Sequence, residues 1–332
     1  MKALLSVAPG GPDTLVFQDV PDPAPGPGEV CIAVRAVGVN YPDSLIIEDR
    51  YQFKPERPFS PGAEAAGIVD AVGQGVASLV PGDRVLASTG WGAMAEKAIV
   101  RADKCARLPD TVPFEEGAAF LLTYGTSYHA LSDRARLQRG ETLLVMGAAG
   151  GVGLAAVELG KAMGARVVAA VSSEDKLALA KESGADEGFI YPAGPFDAEG
   201  RKALADGFKR AVGRSGADVI YDPVGGDYAE AALRAIAWKG RYLVVGFPSG
   251  IPRIPLNLTL LKGCDIVGVF WGAFVEREPE RHAQSVAELF AFHAAGQIKP
   301  RIVQHFPLER GGDAIAALAS RQAKGKIVVT VP

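Results

Sequence analysis

The spacing of hydrophobic positions along the chain changes once, near Pro113. Before it, short apolar or alternating runs are separated by clusters of glycine and proline, which is the pattern of strands joined by turns. Their even spacing predicts a compact, barrel-like β domain. The runs are Lys2–Val7, Thr14–Val20, Val30–Val39, Ala63–Val72, Asp83–Ser88 and Ala95–Val100.

After Pro113 the pattern becomes that of helices alternating with buried strands. Phe114–Ala135 is the first predicted helix, and the tail, Pro300–Pro332, returns to strand, helix and strand and is expected to fold back onto the first domain. Alternating β and α segments predict an α/β fold, a doubly wound parallel sheet with helices on both faces. The predicted strands are Thr142–Met146, Arg166–Val171, Glu187–Tyr191, Asp218–Tyr221, Arg241–Val245 and Ile266–Phe270. The predicted helices between and after them are Leu154–Met163, Asp175–Ser183, Arg201–Val212, Tyr228–Ala237 and Glu280–Ala295.

A glycine-rich turn joins the first of these strands to its helix, within ETLLVMGAAGGVG (141–153). Glycine lets the backbone turn sharply and approach a pyrophosphate, and a helix N-terminus presents its N–H groups to the phosphates. A tight turn that binds nothing is the alternative, but the flanking strand and helix favour a dinucleotide site. The residues predicted to contact the cofactor here are Ala149, Gly150, Gly151 and Val152.

The end of the second strand of this fold distinguishes NADH from NADPH. An NAD site usually carries Asp or Glu there, to accept hydrogen bonds from the ribose hydroxyls. Here the strand ends in Ser172 and Ser173, and Lys176 follows. Two hydroxyls and an ammonium suit a 2′-phosphate, so the sequence predicts NADPH. The alternative is that Ser172 caps the helix beginning at Glu174 and that Lys176 is solvated.

The composition of the chain argues against two classes of binding partner and indicates its compartment. The 332 residues are 48% hydrophobic and 22% charged, with a net charge of −3, which gives no general attraction to nucleic acid or to an anionic membrane. Cys31, Cys105 and Cys264 are far apart and indicate free thiols in a reducing compartment. The apolar start of the chain is interrupted at Pro9, too early for a signal peptide, and no apolar run reaches membrane length. The expected location is the cytoplasm.

Several motifs, in order, resemble those of the medium-chain dehydrogenase/reductase superfamily, and most closely its zinc-independent NADPH:quinone oxidoreductase branch. The resemblance implies a GroES-like substrate domain over residues 1–117 and a Rossmann NADPH-binding domain over 118–262, with the cofactor cleft between them. Residues 263–332 then supply the last Rossmann strand and the segment that returns to the first domain. The motifs are VGVNYPDSL (37–45), PFSPGAEAAGIV (58–69), MGAAGGVGLAAVELGKAMGA (146–165), VIYDPVGGD (219–227), VVGFPSG (244–250), GVFWGAF (268–274) and GKIVVT (325–330).

The resemblance also implies further cofactor contacts. Tyr191 and Arg321 match positions that contact the 2′-phosphate. For Phe270 and Trp271 the alternative is ordinary packing within a strand. The positions implied to line the ribose or nicotinamide are Thr126, Gly246, Phe247, Phe270, Trp271 and Gly272.

Zinc-dependent members of the superfamily use Cys and His ligands, and this chain lacks them. Asn40 stands where their first cysteine ligand is, and Ala63 replaces the histidine of their G-H-E element. There is no cysteine between Cys105 and Cys264, so a structural four-cysteine loop is absent as well. The four histidines, His129, His282, His293 and His305, are isolated in the sequence. We therefore expect no catalytic zinc.

Without a metal, the predicted reaction is hydride transfer from NADPH to an acceptor that is already electrophilic. Tyr51 aligns with a cleft tyrosine of the quinone and enoyl reductases and is the predicted donor to the developing oxyanion. Asn40 is predicted to hold the nicotinamide amide or the substrate oxygen. Packing of the Tyr51 ring against Phe53 or Phe59 is the alternative, with Tyr41 and Tyr124 as second choices for the donor.

Three functions agree with these features. The first is an NADPH-dependent quinone reductase; the second is an enoyl- or acryloyl-CoA-type or enone reductase, for which Arg50, Lys54 and Arg57 offer a basic surface. The third is an NADPH-binding protein of low turnover, as crystallin relatives are. By analogy with relatives, Ile266–Phe270 is an apolar edge strand that pairs with its copy in a homodimer.

Overall fold

The computed structural model describes residues 1–320 and 323–332, which divide into two compact units. The first unit contains Met1–Leu122 and Lys299–Pro332, and the second contains Thr123–Ile298. The first unit thus extends past residue 117, because the Leu122 N–H donates to Glu64 Oε2 at 2.8 Å and holds the chain there.

Within the described residues the strands, in chain order, are β1 (Lys2–Ser6), β2 (Leu15–Asp19), β3 (Glu29–Val39), β4 (Glu64–Val72), β5 (Arg84–Ser88), β6 (Lys97–Arg101), β7 (Cys105–Arg107), β8 (Thr142–Met146), β9 (Arg166–Val171), β10 (Glu187–Ile190), β11 (Ala217–Asp222), β12 (Ile236–Val244), β13 (Asp265–Gly268), β14 (Ile302–Pro307) and β15 (Lys326–Thr330). The α-helices are α1 (Tyr41–Ile47), α2 (Phe114–Ala118), α3 (Thr126–Tyr128), α4 (Gly151–Ala162), α5 (Glu174–Glu182), α6 (Ala198–Val212), α7 (Tyr228–Leu233), α8 (Asn257–Lys262), α9 (Trp271–Arg277), α10 (Pro279–Ala294) and α11 (Gly311–Ala319).

The first unit is built on a sheet of order β14-β15-β3-β4-β5-β7, with β6 also paired to β3. The long strand β3 is buried over most of its length, as its run of valines and isoleucine predicts. Strand β15, from the C-terminal segment, pairs antiparallel with β3, so that Ile327 lies opposite Val39. The sheet of the first unit therefore combines strands from the N-terminal and C-terminal segments.

A buried polar network crosses the sheet where β15, β3 and β4 meet. Lys326 Nζ lies 2.7 Å from Glu64 Oε1 and 2.7 Å from Asn40 Oδ1, and it also donates to Val39 O at 3.3 Å. Asn40 Nδ2 donates to Glu64 Oε1 at 2.9 Å and to Gly38 O at 3.0 Å. A buried charge pair is retained only where its remaining hydrogen-bonding groups are satisfied, and here they are.

The second unit contains a six-stranded parallel sheet of order β10-β9-β8-β11-β12-β13, the Rossmann order. The interior strands β8, β9 and β11 are almost entirely buried, because helices cover both faces of such a sheet. The strand order reverses between β8 and β11. The carboxyl ends of these two strands are where this fold binds its ligands.

The segment predicted as one helix, 114–135, is irregular. After α2, residues Leu121–Gly125 and His129–Arg134 form π-helical turns on either side of α3. Gly125 lies against the indole of Trp271, where an added Cβ would be 2.8 Å from Nε1. This close approach is a tertiary constraint that a helical periodicity does not contain, and π turns are frequent at functional sites.

Pairing between strands also moves the ends of two predicted elements. The helix expected to reach Ala237 ends at Leu233, because Ile236 already pairs with Ala217 as the start of β12. The strand expected over Ile266–Phe270 is Asp265–Gly268, because its partner β12 ends at Val244. Pairing between strands decided both boundaries over local apolar periodicity.

None of the helices that the structure describes combines the length and the apolar character needed to cross a membrane. The three cysteines are free thiols; Cys31 and Cys264 are buried, and Cys105 is partly so.

Candidate active site

The glycine-rich turn lies at the carboxyl end of β8, where the strand order reverses. Gly147 has φ +57, and Gly153 packs so closely that an added Cβ would be 2.2 Å from Gly147 O. Gly150 is exposed and precedes the first turn of α4. Gly151 and Val152 begin that helix and are partly buried, while Ala149 is buried beneath the turn. The exposed backbone of this turn and the start of α4 can accept a pyrophosphate.

The structure places a hydroxyl and an ammonium together at the end of β9. Lys176 Nζ lies 3.1 Å from Ser172 Oγ, and both belong to the edge of the sheet next to the glycine-rich turn. The helix cap is Ser173, whose hydroxyl accepts from the Lys176 N–H at 3.4 Å, so the suggested cap at Ser172 is wrong. Ser172 is exposed, which leaves its side chain and the ammonium facing solvent.

Tyr191 follows β10 and is buried, 8% exposed. Its hydroxyl lies near the backbone N–H of Gly147, and its ring packs against Phe208 and Tyr228. Burial raises the pKa of this phenol. Tyr191 therefore connects the third strand of the sheet to the glycine-rich turn. Arg321, predicted to contact the same phosphate, lies outside the described residues.

The other predicted cofactor positions lie on three segments of the second unit. Thr126 begins α3 and is partly buried. Gly246 and Phe247 follow β12, and Phe247 is 47% exposed. Phe270, Trp271 and Gly272 stand at the start of α9, so strand packing does not explain them; Phe270 is exposed, and Trp271 is buried against Gly125.

Sequence reasoning missed two side chains at the end of β11. Tyr221 is fully buried and its hydroxyl lies 2.9 Å from Ser127 Oγ, which in turn donates to Val152 O at 2.9 Å. Asp222 is buried beside it and bonds the hydroxyl of Tyr242. The motif VIYDPVGGD contains both residues, but its letters do not show which partners the two side chains have.

Tyr51 lies in the first unit, after α1. Its ring is partly buried and meets Phe53 edge to face, with centroids 5.8 Å apart. Burial, and then the nearby Asp43 carboxylate, raises the pKa of the phenol, so it keeps its proton at neutral pH and can donate it in a hydrogen bond.

Asn40 is buried, and its amide is already engaged. Both hydrogens of Nδ2 are donated, to Glu64 and to Gly38 O, and Oδ1 accepts from Lys326. The reversed orientation of the amide would set Nδ2 against the ammonium and Oδ1 against a carboxylate, so the network selects this one. Asn40 can accept one more hydrogen bond through Oδ1 but has none left to donate.

Asp43 fastens the loop around Asn40. Its two oxygens accept from the backbone N–H groups of Asn40, at 2.7 Å, and Gly62, at 3.1 Å. Burial raises the pKa of this carboxyl to about 6, against the opposing effects of the Asn40 N–H and the Lys326 ammonium.

Three of the secondary candidates, Tyr124 for the donor and Arg50 and Arg57 for a basic surface, have partners. The Tyr124 hydroxyl donates to Glu158 at 2.7 Å and is buried. Arg57 pairs with Asp49 at 2.9 Å and donates to Ile47 O, while Arg50 pairs with Glu48 at 2.9 Å. The Arg57 side chain is largely buried by these contacts, whereas that of Arg50 is 67% exposed.

Among the residues that the structure describes, no group of three or more His, Cys, Asp or Glu side chains has the arrangement of a metal site. At the positions of the zinc ligands, Asn40 is bonded to Lys326 and Ala63 offers no ligand atom.

Comparison with known proteins agrees with this architecture. Residues 26–110 match the family model for the alcohol dehydrogenase GroES-like domain, and residues 151–290 match the model for zinc-binding dehydrogenases. The second name describes that family as a whole and assigns no zinc to this chain.

Relatives match nearly the full length. Quinone oxidoreductase-like protein 2 of Rattus norvegicus is 36% identical over 96% of this chain and 89% of its own. Quinone oxidoreductase of the same species is 34% identical over 99% and 97%. A solved structure of a mycobacterial protein complexed with NADPH has a TM-score of 0.91 and 31% identity, covering 99% of this chain and all of that one. On this similarity, the protein belongs to the quinone oxidoreductase family of the medium-chain dehydrogenase/reductase superfamily.

Proposed function

We propose that the protein is an NADPH-dependent oxidoreductase that reduces a quinone, or a similarly activated carbonyl compound, without a metal. The observation that carries the proposal is the pairing of Ser172 with Lys176 beside an open glycine-rich turn. The names of the relatives, and NADPH in the mycobacterial complex, support it.

The residues present suit this cofactor. The second strand ends in serines and not in a carboxylate, which would repel a 2′-phosphate. After β12, Phe247 is 47% exposed, so this loop presents an aromatic ring to solvent that could contact the cofactor. NADPH supplies the hydride; with one proton from the protein or solvent, the acceptor becomes a hydroquinone.

The chain's own part in the reaction is to bind, to orient and to stabilise charge. Tyr51 donates a hydrogen bond to the acceptor oxygen as negative charge develops there. Asn40 is restricted to accepting, so its proposed role is to receive a hydrogen bond from the nicotinamide amide and not to bind the substrate oxygen. A quinone suits such a site, because its anion is delocalised and needs no Lewis acid.

An enone or enoyl-thioester reductase is the second candidate, since it uses the same hydride chemistry. The basic residues that would attract a large CoA ester are weaker support than the sequence indicated, because Arg50 and Arg57 are engaged in ion pairs. An NADPH-binding protein of low turnover is the third.

A test of acceptors separates these functions. We expect NADPH oxidation in the presence of small quinones, at a rate that treatment with a chelator leaves unchanged. The measurement is steady-state turnover against quinones, enals and enoyl-CoAs. Turnover confined to enoyl-CoAs, or NADPH binding without turnover of any acceptor, would favour the second or third candidate.

Lys176→Ala tests the cofactor preference. Loss of a charge-assisted contact with the 2′-phosphate should weaken NADPH by about 1.5–3 kcal/mol and leave NADH unchanged. Calorimetric titration of both cofactors measures this, with Lys181→Ala, at the other end of α5, as the matched control. Equal weakening of the two cofactors would refute a phosphate contact.

Tyr51→Phe tests the donor. The ring and its contact with Phe53 remain, whereas the hydroxyl is lost. Turnover should fall about 10- to 1,000-fold, as when one oxyanion donor is removed, and more for enones than for quinones. NADPH affinity and melting temperature serve as controls and should barely change. Parental turnover with both classes of acceptor would leave Tyr51 as a packing residue.

We further propose a homodimer formed through β13. In the described chain this strand pairs only with β12, and Ile266 on it is 38% exposed. Nearby, Leu260 and Leu261 on α8 are 78% and 63% exposed. An open apolar edge needs cover. Light scattering should give the mass of a dimer for the parent and for the control Val80→Lys, and of a monomer for Ile266→Lys. A monomeric parent at micromolar concentration would refute the dimer.

A further inference from the structure

Asp222 lies at the carboxyl end of β11, and both oxygens of its carboxylate accept hydrogen bonds. The residue is 2% exposed. Its Oδ1 accepts from the backbone N–H groups of Val224, at 2.8 Å, and Gly225, at 2.9 Å. Its Oδ2 accepts from the hydroxyl of Tyr242. The carboxylate is therefore saturated by donors that belong to its own loop and to the next strand.

The backbone of the same residue holds a second loop. The carbonyl of Asp222 accepts from Val245 N at 3.0 Å and from Gly246 N at 3.3 Å. Asp222 thus fastens the loop after β11, residues 223–226, through its side chain, and the start of the loop after β12, residues 245–250, through its main chain. We refer to these two segments as the paired loops.

The paired loops are also bonded to each other. Ser249 N donates to Val224 O at 3.0 Å, and Gly226 N donates to Gly250 O at 2.7 Å. Gly225 has φ +68 and lies against Phe247, where an added Cβ would be 2.6 Å from the Phe247 Cβ. The position of Phe247 therefore depends on the conformation of residues 224–226.

The first of the paired loops reaches the glycine-rich turn. An added Cβ at Gly147 would meet Val224 Cγ2 at 2.9 Å, so Val224 packs directly on the turn. The N–H of Val224 is one of the two that the Asp222 carboxylate holds. One carboxylate thus sets the distance between the turn and the loop that contains Phe247.

The order of the strands indicates which half of the cofactor would lie over the paired loops. Strand β9, with Ser172 and Lys176, lies on one side of β8, and β11 and β12 lie on the other. A dinucleotide that places its pyrophosphate at the end of β8 and its 2′-phosphate over β9 extends its other half over the paired loops.

We propose that Asp222 is a positioning residue for the nicotinamide half of the cofactor, acting through the paired loops. The proposal rests on the proposed function, because it assumes a bound dinucleotide. Asp222 itself does not touch the ligand. Its carboxylate stabilises a loop conformation that three glycines, Gly225, Gly226 and Gly250, would otherwise leave loose, and all three have positive φ.

The chemistry of the site explains why an acceptor is needed at this position. Two backbone N–H groups and a phenol converge there, and each would lose free energy if buried without a partner. Burial raises the pKa of Asp222, while the Tyr242 hydroxyl and the N–H groups of Gly225 and Val224 oppose the rise. Asparagine can replace the acceptor oxygen for the two N–H groups, and leucine cannot.

The test compares a whole and a half ligand on three variants. The ligands are NADPH and adenosine 2′,5′-bisphosphate, which lacks the nicotinamide half. Asp222→Leu should weaken NADPH about tenfold or more and leave the bisphosphate unchanged, and Asp222→Asn should recover most of that loss. Tyr242→Phe is the matched control: it removes a buried hydrogen bond of the same carboxylate, so it should lower the melting temperature but keep the ratio of the two affinities.

Two measurements keep the test decisive if Asp222→Leu does not fold. Gly225→Ala displaces the paired loops at Phe247 without altering Asp222, and should also weaken NADPH selectively. Hydrogen exchange of the parent without ligand should show the Val224 and Gly225 amides protected, and Asp222→Asn should retain that protection.

The outcomes separate this proposal from the proposed function. Parental NADPH affinity in Asp222→Leu, equal weakening of both ligands, or rapid exchange of the two amides in the parent would overturn the positioning role. A parent that fails to bind NADPH would instead refute the proposed function, whatever the exchange data show.

Discussion

The buried ion pair between Lys326 and Glu64 is the interaction on which the first unit depends. The two residues are 262 positions apart in sequence, and their atoms lie 2.7 Å apart. Desolvating both charges is costly, and the pair is tolerated because Asn40, Val39 O and the Leu122 N–H satisfy the remaining groups. The pair thereby places the C-terminal strand β15 in one register and sets the end of β3, and through Glu64 it holds Leu122, the last residue of the unit's first segment. It also determines what Asn40 can do, since the same bonds use both donors of its amide.

The second unit concentrates its function at one edge of its sheet. The interior strands are buried on both faces, and this fold binds its ligands at their carboxyl ends. At β8 the backbone of the glycine-rich turn is exposed, and at β9 Ser172 and Lys176 are paired. At β11 two consecutive side chains face different partners: Tyr221 connects to Ser127 and, through it, to Val152, whereas Asp222 holds the paired loops. The surface that we propose for the cofactor phosphates and the groups that support it therefore lie on neighbouring strands.

The proposed reaction requires few reactive side chains. In a metal-free reduction of a delocalised acceptor, most of the barrier is removed by orientation. Both N–H groups of the Asn40 side chain already donate hydrogen bonds, and the Tyr124 hydroxyl donates to Glu158. Tyr51, which is partly buried and protonated at neutral pH, is the phenol that we propose as the donor to the oxyanion. A protein of this design gains selectivity from the placement of its loops more than from a reactive group.

The sequence by itself determined the features that depend on neighbouring residues. Apolar strands that alternate with helices predict the Rossmann sheet, the glycines after β8 predict its turn, and the serines after β9 predict the cofactor. Each of these signals lies within one strand, turn or helix. The missing zinc ligands are equally local. Only the tertiary structure decided what depends on partners far apart in the chain. The π turns around α3 accommodate Trp271 against Gly125. Strand β12 begins earlier than predicted because Ile236 pairs with Ala217. The partners of Asp222 and Lys326 come from other strands. Hydrophobic periodicity reports which face of an element is buried, but it contains no information on which polar groups meet once the strands are in register.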